Sequence, residues 1–261
     1  MGSDASMNKP GWIGQIEVGN PFNEISLHKW GMVIDQDLCT GCQACVTACA
    51  MENNTSFVGE ADAGYGRTMH WLHIERFWEG VYPNVKSTSY QPLLCQHCER
   101  APCEPVCPVF ASVHSLSQKT NLQVYNRCVG TRYCANNCPY QVREFNWRDY
   151  APPEPLPNMF HPDVTVRRRG IMEKCTFCLQ RLLQAEDKAS AEGRSLADGE
   201  VITACAQACP TGAIVFGRLD DPQSQVSRLK MDGRATVLLE ELGTLPSITY
   251  LKGGSSYGRN R

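Results

Sequence analysis

The sequence predicts an α+β fold of two pseudo-symmetric modules with loop-rich insertions and an extended C-terminal tail. Three observations carry that prediction. A cysteine motif recurs four times along the 261 residues, short β-type runs lead into or out of the copies, and three of the four copies end in Cys-Pro. A repeat of this kind has to be read before any secondary structure.

In chain order, residues 1–30 form an N-terminal arm. Its opening, MGSDASMNKPGWIGQIEVGN, has no apolar h-region and no cleavage site, so no secretory signal is expected in it. Gly2 and Ser6 match the short myristoylation pattern M-G-x-x-x-S, which is set aside in a chain so rich in metal-type cysteines. WGMVID (30–35) reads as a strand entering the first group, CTGCQACVTAC, with Cys39, Cys42, Cys45 and Cys49. MHWLHIERF (69–77) is strand-like, and its H-x2-H pair, His70 and His73, is a weak metal candidate. The second group, CQHCERAPCEPVCP, carries Cys95, Cys98, Cys103 and Cys107, and the strand-like SVHS (112–115) follows it. His97 lies inside this group, but cysteine fills every ligand position, so hydrogen bonding or packing is its expected role.

LQVY (122–125) leads into the third group, RCVGTRYCANNCP, with Cys128, Cys134 and Cys138. Residues 149–162, DYAPPEPLPNMFHP, are too proline-rich for a regular helix or a central strand and read as an extended surface connection. The fourth group is split between Cys175 and Cys178 in KCTFC and Cys205 and Cys209 in TACAQACP, with AIVFG (213–217) after it. Between the halves, RLLQAEDKAS (181–190) has helical spacing. The tail, 220–261, predicts a short helix over 235–242 stopped by Gly243 and Pro246, then a strand or extended arm at SITYL, and shows no chemistry.

A chain that is 42% hydrophobic and 20% charged is globular rather than disordered. Fifteen cysteines, odd in number and gathered in close runs, fit metal better than a disulfide scaffold. The net charge of -2 becomes more negative once thiolates bind metal, and no nucleic-acid motif appears, so nucleic acid is not an expected partner. No run of 18 apolar residues is present, so membrane contact is expected only through partners. No nucleophile–base pair, phosphate loop or dinucleotide fingerprint appears.

The four groups use all fifteen cysteines. C-x2-C-x2-C aims three thiolates from one turn at one small iron–sulfide face, and Gly41 frees the backbone to bend there. The next cysteine, three residues on, has turned away and in two-cluster bacterial ferredoxins ligates the other cluster. Strand, cysteine turn, short helix, proline, strand is the layout of a ferredoxin half. Paired C-x2-C units also bind tetrahedral zinc, but zinc ribbons need only two thiols per run, and these runs carry three and then a fourth.

In this order, and with the fourth group split, the motifs resemble the four-cluster iron–sulfur subunits of the dimethyl-sulfoxide-reductase and polysulfide-reductase class, over roughly residues 31–217. In that class the first group pairs with the fourth and the second with the third. The resemblance therefore implies a bacterial-ferredoxin-like module A (31–84 plus 163–219), a module B (85–150), and the connection 151–162 between them. It implies one [4Fe–4S] cluster on Cys39, Cys42, Cys45 and Cys209, a second on Cys49, Cys175, Cys178 and Cys205, and a third on Cys95, Cys98, Cys103 and Cys138. The fourth site would take Cys107, Cys128, position 131 and Cys134, but position 131 is Thr. A hydroxyl is a far weaker iron ligand than a thiolate. Either Thr131 binds iron as an alkoxide, or the fourth iron is absent and Cys107, Cys128 and Cys134 hold a [3Fe–4S] cluster.

The stretch RCVGTRYCANNCPYQVREFNW and the tail segment LEELGTLPSITYL most resemble the iron–sulfur subunit of the menaquinone-reductase complexes of sulfate reducers and the iron–sulfur part of alternative complex III. These likenesses imply an electron-transfer subunit of a membrane-associated respiratory complex, linking a redox subunit to a quinone-reactive membrane subunit in menaquinone reduction or menaquinol oxidation. The alternative is the beta subunit of a molybdopterin oxidoreductase of the polysulfide- or dimethyl-sulfoxide-reductase type. Implied partners are a molybdopterin-protein-like subunit, a polytopic quinone-binding membrane subunit and a multihaem cytochrome c. The implied location is peripheral, on the periplasmic face, after export with a partner. A self-contained enzyme would need an open cluster corner, and only Thr131 offers one. Arg167, Arg168, Arg169 and Lys174, beside Cys175, read either as a solvated charge run or as groups that offset cluster charge or dock a partner.

Overall fold

A computed structural model describes residues 28–252 apart from 116, 151 and 153. The Gly2 motif and nearly all of the N-terminal arm lie outside the described residues. Helices and strands are mixed, as the α+β expectation required.

The principal sheet has four strands in the order β8-β1-β10-β9. WGMVID forms β1 (Trp30–Asp35) and pairs antiparallel with β8 (Ile214–Arg218), Ile34 opposite Ile214. Along its other edge β1 pairs in parallel with β10 (Ile248–Leu251), Met32 opposite Ile248. The tail strand is therefore interior to the sheet, and all four of its residues are buried.

The helix expected over 235–242 does not form. Ala235–Thr236 are β9, antiparallel to β10, and only Glu240–Leu242 turn, as a single 3-10 turn. The physical reason is tertiary. β10 presents a free backbone edge that has to be hydrogen-bonded, and Arg234 anchors the preceding residue to Asp35 and Asp37 at 3.0 and 3.1 Å. Leu239 then takes a left-handed conformation (φ 50°), which a continuing helix does not tolerate.

Three two-stranded pairs complete the strands among the described residues. β2 (Leu72–Val81) and β3 (Asn84–Leu94) make a long hairpin, buried at its base and exposed on both faces beyond Glu75. β4 (Ser112–His114) pairs with β5 (Asn121–Gln123). β6 (Glu144–Phe145) pairs with β7 (Met172–Glu173), tying the residues after the third cysteine group to those before the fourth.

The helices that matter for the cysteines are short. α1 (Ala44–Glu52) and α2 (Glu60–Gly64) come first, and α3 (Tyr133–Asn136) holds Cys134. α4 (Leu179–Ala191) occupies the predicted helical insertion and buries Leu182 and Ala189. α5 (Ala204–Gln207) carries Cys205, and α6 (Gln225–Leu229) follows the sheet. Among its described residues the proline-rich connection contains only a 3-10 turn at Leu156–Met159.

The larger apolar core among the described residues runs from the sheet into the cysteine turns. Trp30 stacks on Phe216 at 5.3 Å, Phe216 meets Phe177 edge-on at 5.2 Å, and most of the thiols are buried in the same cluster. The molecule's interior is thus partly built from metal-ligand-type side chains.

Candidate metal centres

Each cysteine group begins with the same turn. In the three C-x2-C units, and in the C-x2-T that opens the third group, the last residue of the two-residue step is left-handed: Gly41 (φ 70°), His97 (φ 44°), Gly130 (φ 74°) and Phe177 (φ 57°). A left-handed residue there reverses the chain, so that two ligand positions point the same way. Glycine does this without strain, and a Cβ at Gly130 would also stand 2.5 Å from the Gly170 carbonyl oxygen. His97 and Phe177 hold the unfavourable conformation with side chains stacked on each other at 3.7 Å, which joins the second group to the fourth.

Thr131 stands where Cys42, Cys98 and Cys178 stand in the other turns, on a backbone of the same form. The match extends one residue further, since Gln43 after Cys42 has φ 62°, ψ 9° and Arg132 after Thr131 has φ 62°, ψ 5°. Both Cys42 and Thr131 are exposed, so this corner faces solvent.

The tertiary structure gathers cysteines distant in sequence. Cys39, Cys42, Cys45 and Cys209 line one small cavity with Ile74 and Pro92 from the base of the hairpin. Cys49 lies among Cys175, Cys178 and Cys205. Cys98 lies among Cys95, Cys103 and Cys138. Cys134 faces Cys128, and Cys107 is linked to Cys134 through Arg143, which acts on both. The gatherings follow one another in a row: Cys205 is near Cys45, Cys175 near Cys95, and Cys134 near Cys103.

The donor set fits iron–sulfur clusters. All fifteen cysteines are free thiols. Among the described residues no three cysteine, histidine or carboxylate side chains converge tightly enough to hold a single ion. A tetrahedral zinc site would bring its sulfurs to about 3.8 Å from one another, given Zn–S bonds of about 2.3 Å. A cluster gives each thiolate its own iron, so its ligands stand further apart. His97 is fully buried, and neither ring nitrogen has a well-formed hydrogen bond, although the Cys175 carbonyl approaches the ring. A buried donor left open beside these thiols suits the sulfides of a cluster.

Backbone amides are aimed at the sulfurs in a repeated pattern. The N–H four residues after each Cys-Pro cysteine donates to it: Ala111 to Cys107 at 3.1 Å, Ala213 to Cys209 at 3.3 Å, and Val142 to Cys138. Cys49 has no proline after it, α1 continues, and the amide of Asn53 instead bonds the Cys49 carbonyl. The Asn53 side chain takes the vacant role, its Nδ2 lying 3.6 Å from Cys49 Sγ and 4.0 Å from Cys178 Sγ.

These environments set the thiol acidities. Burial pushes Cys45 and Cys205 up to about 11 and Cys98 and Cys178 up to about 12, and it holds Cys49 and Cys175 well above the usual thiol value. At Cys107 burial acts upward, but the amides of Val109, Ser112 and Ala111 outweigh it, and the thiol ends below its usual value. Cys209 behaves alike, through the Thr211 hydroxyl and the amides of Thr211, Ala213 and Ile214. Without metal most of these thiols hold their protons, so metal binding must release them.

The basic run divides by environment. Arg167 is buried, ion-paired to Glu173 at 2.7 Å and set over the Trp71 ring, whereas Arg168 and Arg169 are exposed. Lys174 is fully buried and donates to the carbonyls of Asn121 (2.5 Å) and Cys175 (2.9 Å). His73 pairs with Glu75 at 3.3 Å, and His70 is exposed outside the strand, so the H-x2-H pair does not converge. Sequence reasoning missed Asn53 and Arg143. A residue four after the one cysteine that lacks a following proline was a usable signal for Asn53; nothing in the sequence marks Arg143.

The chain matches the family model described as a 4Fe-4S dicluster domain over residues 127–213 and that of a 4Fe-4S binding domain over residues 30–51. It is 44% identical to the menaquinone reductase iron-sulfur cluster-binding subunit of Nitratidesulfovibrio vulgaris, over 88% of this chain and 91% of that protein. It is 38% identical to a putative dimethyl sulfoxide reductase iron-sulfur subunit from Halobacterium salinarum, over 88% of this chain and 82% of that one. It is also 35% identical to the arsenate respiratory reductase iron-sulfur subunit of a Shewanella species, over 86% and 96%.

Proposed function

The chain belongs to the family of iron–sulfur cluster-binding subunits that includes those of menaquinone reductase and dimethyl sulfoxide reductase, and on that footing we propose that it relays electrons within a membrane-associated quinone oxidoreductase complex. Clusters bound by such a chain accept and release one electron at a time without forming or breaking bonds to a substrate.

In this reading three [4Fe–4S] clusters are held by Cys39, Cys42, Cys45 and Cys209, by Cys49, Cys175, Cys178 and Cys205, and by Cys95, Cys98, Cys103 and Cys138. A [3Fe–4S] cluster is held by Cys107, Cys128 and Cys134. Support comes from the gathering of those thiols and from the donor pattern around them. The two ferredoxin-like modules belong to the same reading, with the first and fourth groups forming one and the second and third the other.

The observation that supports the three-iron assignment is the left-handed turn at Gly130, which gives Thr131 the same place in the turn that Cys42, Cys98 and Cys178 have in the other groups. The row of thiol groups supports a relay between two partners. Their proposed natures are a molybdopterin-protein-like or multihaem cytochrome c subunit at one end and a polytopic quinone-binding subunit at the other. No helix among the described residues is long and apolar enough to cross a membrane, which suits peripheral attachment, on the periplasmic face in this reading.

The test is iron analysis with electron paramagnetic resonance on the oxidised protein. About 15 irons per chain and a near-isotropic three-iron signal are expected. Sixteen irons with no such signal would remove the three-iron cluster from the assignment. A colourless, zinc-loaded protein would overturn the electron-transfer reading itself.

A further inference from the structure

Of the three arginines and lysines buried among the described residues, Arg167 is neutralised by a carboxylate, that of Glu173 at 2.7 Å. Two are not. Arg143 is 6% exposed and Lys174 0% exposed, and among the described residues neither has a carboxylate within ion-pairing distance. Arg143 donates to the neutral Gln123 Oε1 at 2.9 Å, Ser112 Oγ at 2.7 Å and Asn121 Oδ1 at 3.3 Å, and it also hydrogen-bonds the Cys134 side chain. Lys174 donates to two backbone carbonyls, one of them that of the same Asn121. A buried charge without a counter-charge is strongly destabilising, and a guanidinium does not escape by losing its proton.

The missing negative charge lies at the thiols. Arg143 faces Cys103, Cys134 and Cys95, which belong to the third and fourth gatherings. Lys174 adjoins Cys175 of the second gathering and acts on His97, between Cys95 and Cys98 of the third. The two cations thus stand at successive junctions of the row, both held by Asn121 of β5. At the other end, Cys39, Cys42, Cys45 and Cys209 have no such cation among the residues around their cavity.

We propose that Arg143 and Lys174 are fixed counter-charges that raise the reduction potentials of the inner clusters and of the cluster at Cys107, Cys128 and Cys134 above that of the cluster at Cys39, Cys42, Cys45 and Cys209. Reduction adds one electron to an already anionic group, so a nearby fixed cation stabilises the reduced form more than the oxidised one. Electrons then settle toward the Cys107 end whichever partner delivers them. This rests on the reading above that the thiols hold clusters.

The experiment is an anaerobic redox titration of the complex, followed by electron paramagnetic resonance, for wild type, Arg143→Gln, Arg143→Lys and the exposed control Arg168→Gln. Arg143→Gln is expected to keep its iron. Reduction of the clusters on the Cys95 and Cys107 sets should become at least about tenfold less favourable, or about 59 mV for one electron. Arg143→Lys, Arg168→Gln and the Cys39 cluster in every variant should stay near wild type. Unmoved midpoints in iron-replete Arg143→Gln, or equal shifts at all four clusters, would overturn the proposal. If Arg143→Gln fails to load iron, loading of Arg143→Lys supports a requirement for charge, and failure of both assigns Arg143 to packing and overturns it. Wild type without clusters would instead bring down the electron-transfer reading, a distinct result.

Discussion

At the scale of single residues, Thr131 and Asn53 show how small substitutions within a repeat are absorbed in opposite ways. At 131 the turn is kept and threonine stands where the other groups have cysteine. Thr131→Cys therefore restores a thiol at a position whose backbone already has the right form. The expected outcome is one more iron per chain, loss of the oxidised three-iron signal and a lower potential at that site; a persisting signal at full intensity would show that position 131 does not face the open corner. Gly130→Ala should damage the same turn, because alanine resists φ 74° and its Cβ meets a carbonyl at 2.5 Å. At Asn53 the repeat lacks a proline and a side-chain amide substitutes for a backbone one. Asn53→Leu removes a buried donor from the Cys49 carbonyl and from two sulfurs. A loss of about 1–3 kcal/mol is expected, read from the denaturant midpoint of the cluster absorption.

At the scale of elements, β10 and the β2–β3 hairpin make opposite demands on the chain. β10 is central to the sheet, and its Tyr250 is fully buried, donating to the Pro92 carbonyl at 2.9 Å and accepting from Gln96 at 3.2 Å. The residues just before it brace the second cysteine group: Ser247 Oγ donates to the His97 carbonyl, and the amides of Glu99 and Arg100 donate to the carbonyls of Leu245 and Thr244. Tyr250→Ala should cost about 3–5 kcal/mol, and urea should then release iron from the whole chain earlier than in wild type. The distal hairpin, with Phe77, Trp78, Val81 and Tyr82 exposed, supports none of this. Shortening it across residues 77–87 should leave iron content and visible spectrum unchanged.

At the scale of the whole molecule, the interior is shared between apolar side chains and thiols, so fold and cofactor stand or fall together. Iron chelation under reducing conditions should abolish cooperative unfolding in calorimetry, rather than lower the midpoint by a few degrees. The sequence by itself determined the parts whose chemistry is local. Spacing fixes a cysteine turn, proline ends it, and WGMVID is a strand because a short β-type run can be little else, so the groups, β1, α4 and the odd position at Thr131 were all legible. Tertiary structure alone decided what depends on residues far apart. Ala235–Thr236 become a strand, not the start of a helix, because β10 offers them an edge. Arg143 matters because folding buries it beside thiols 40 and 48 positions away, Cys103 and Cys95. Burial, unlike spacing, has no local signature: the same arginine on an exposed turn would be one more solvated charge.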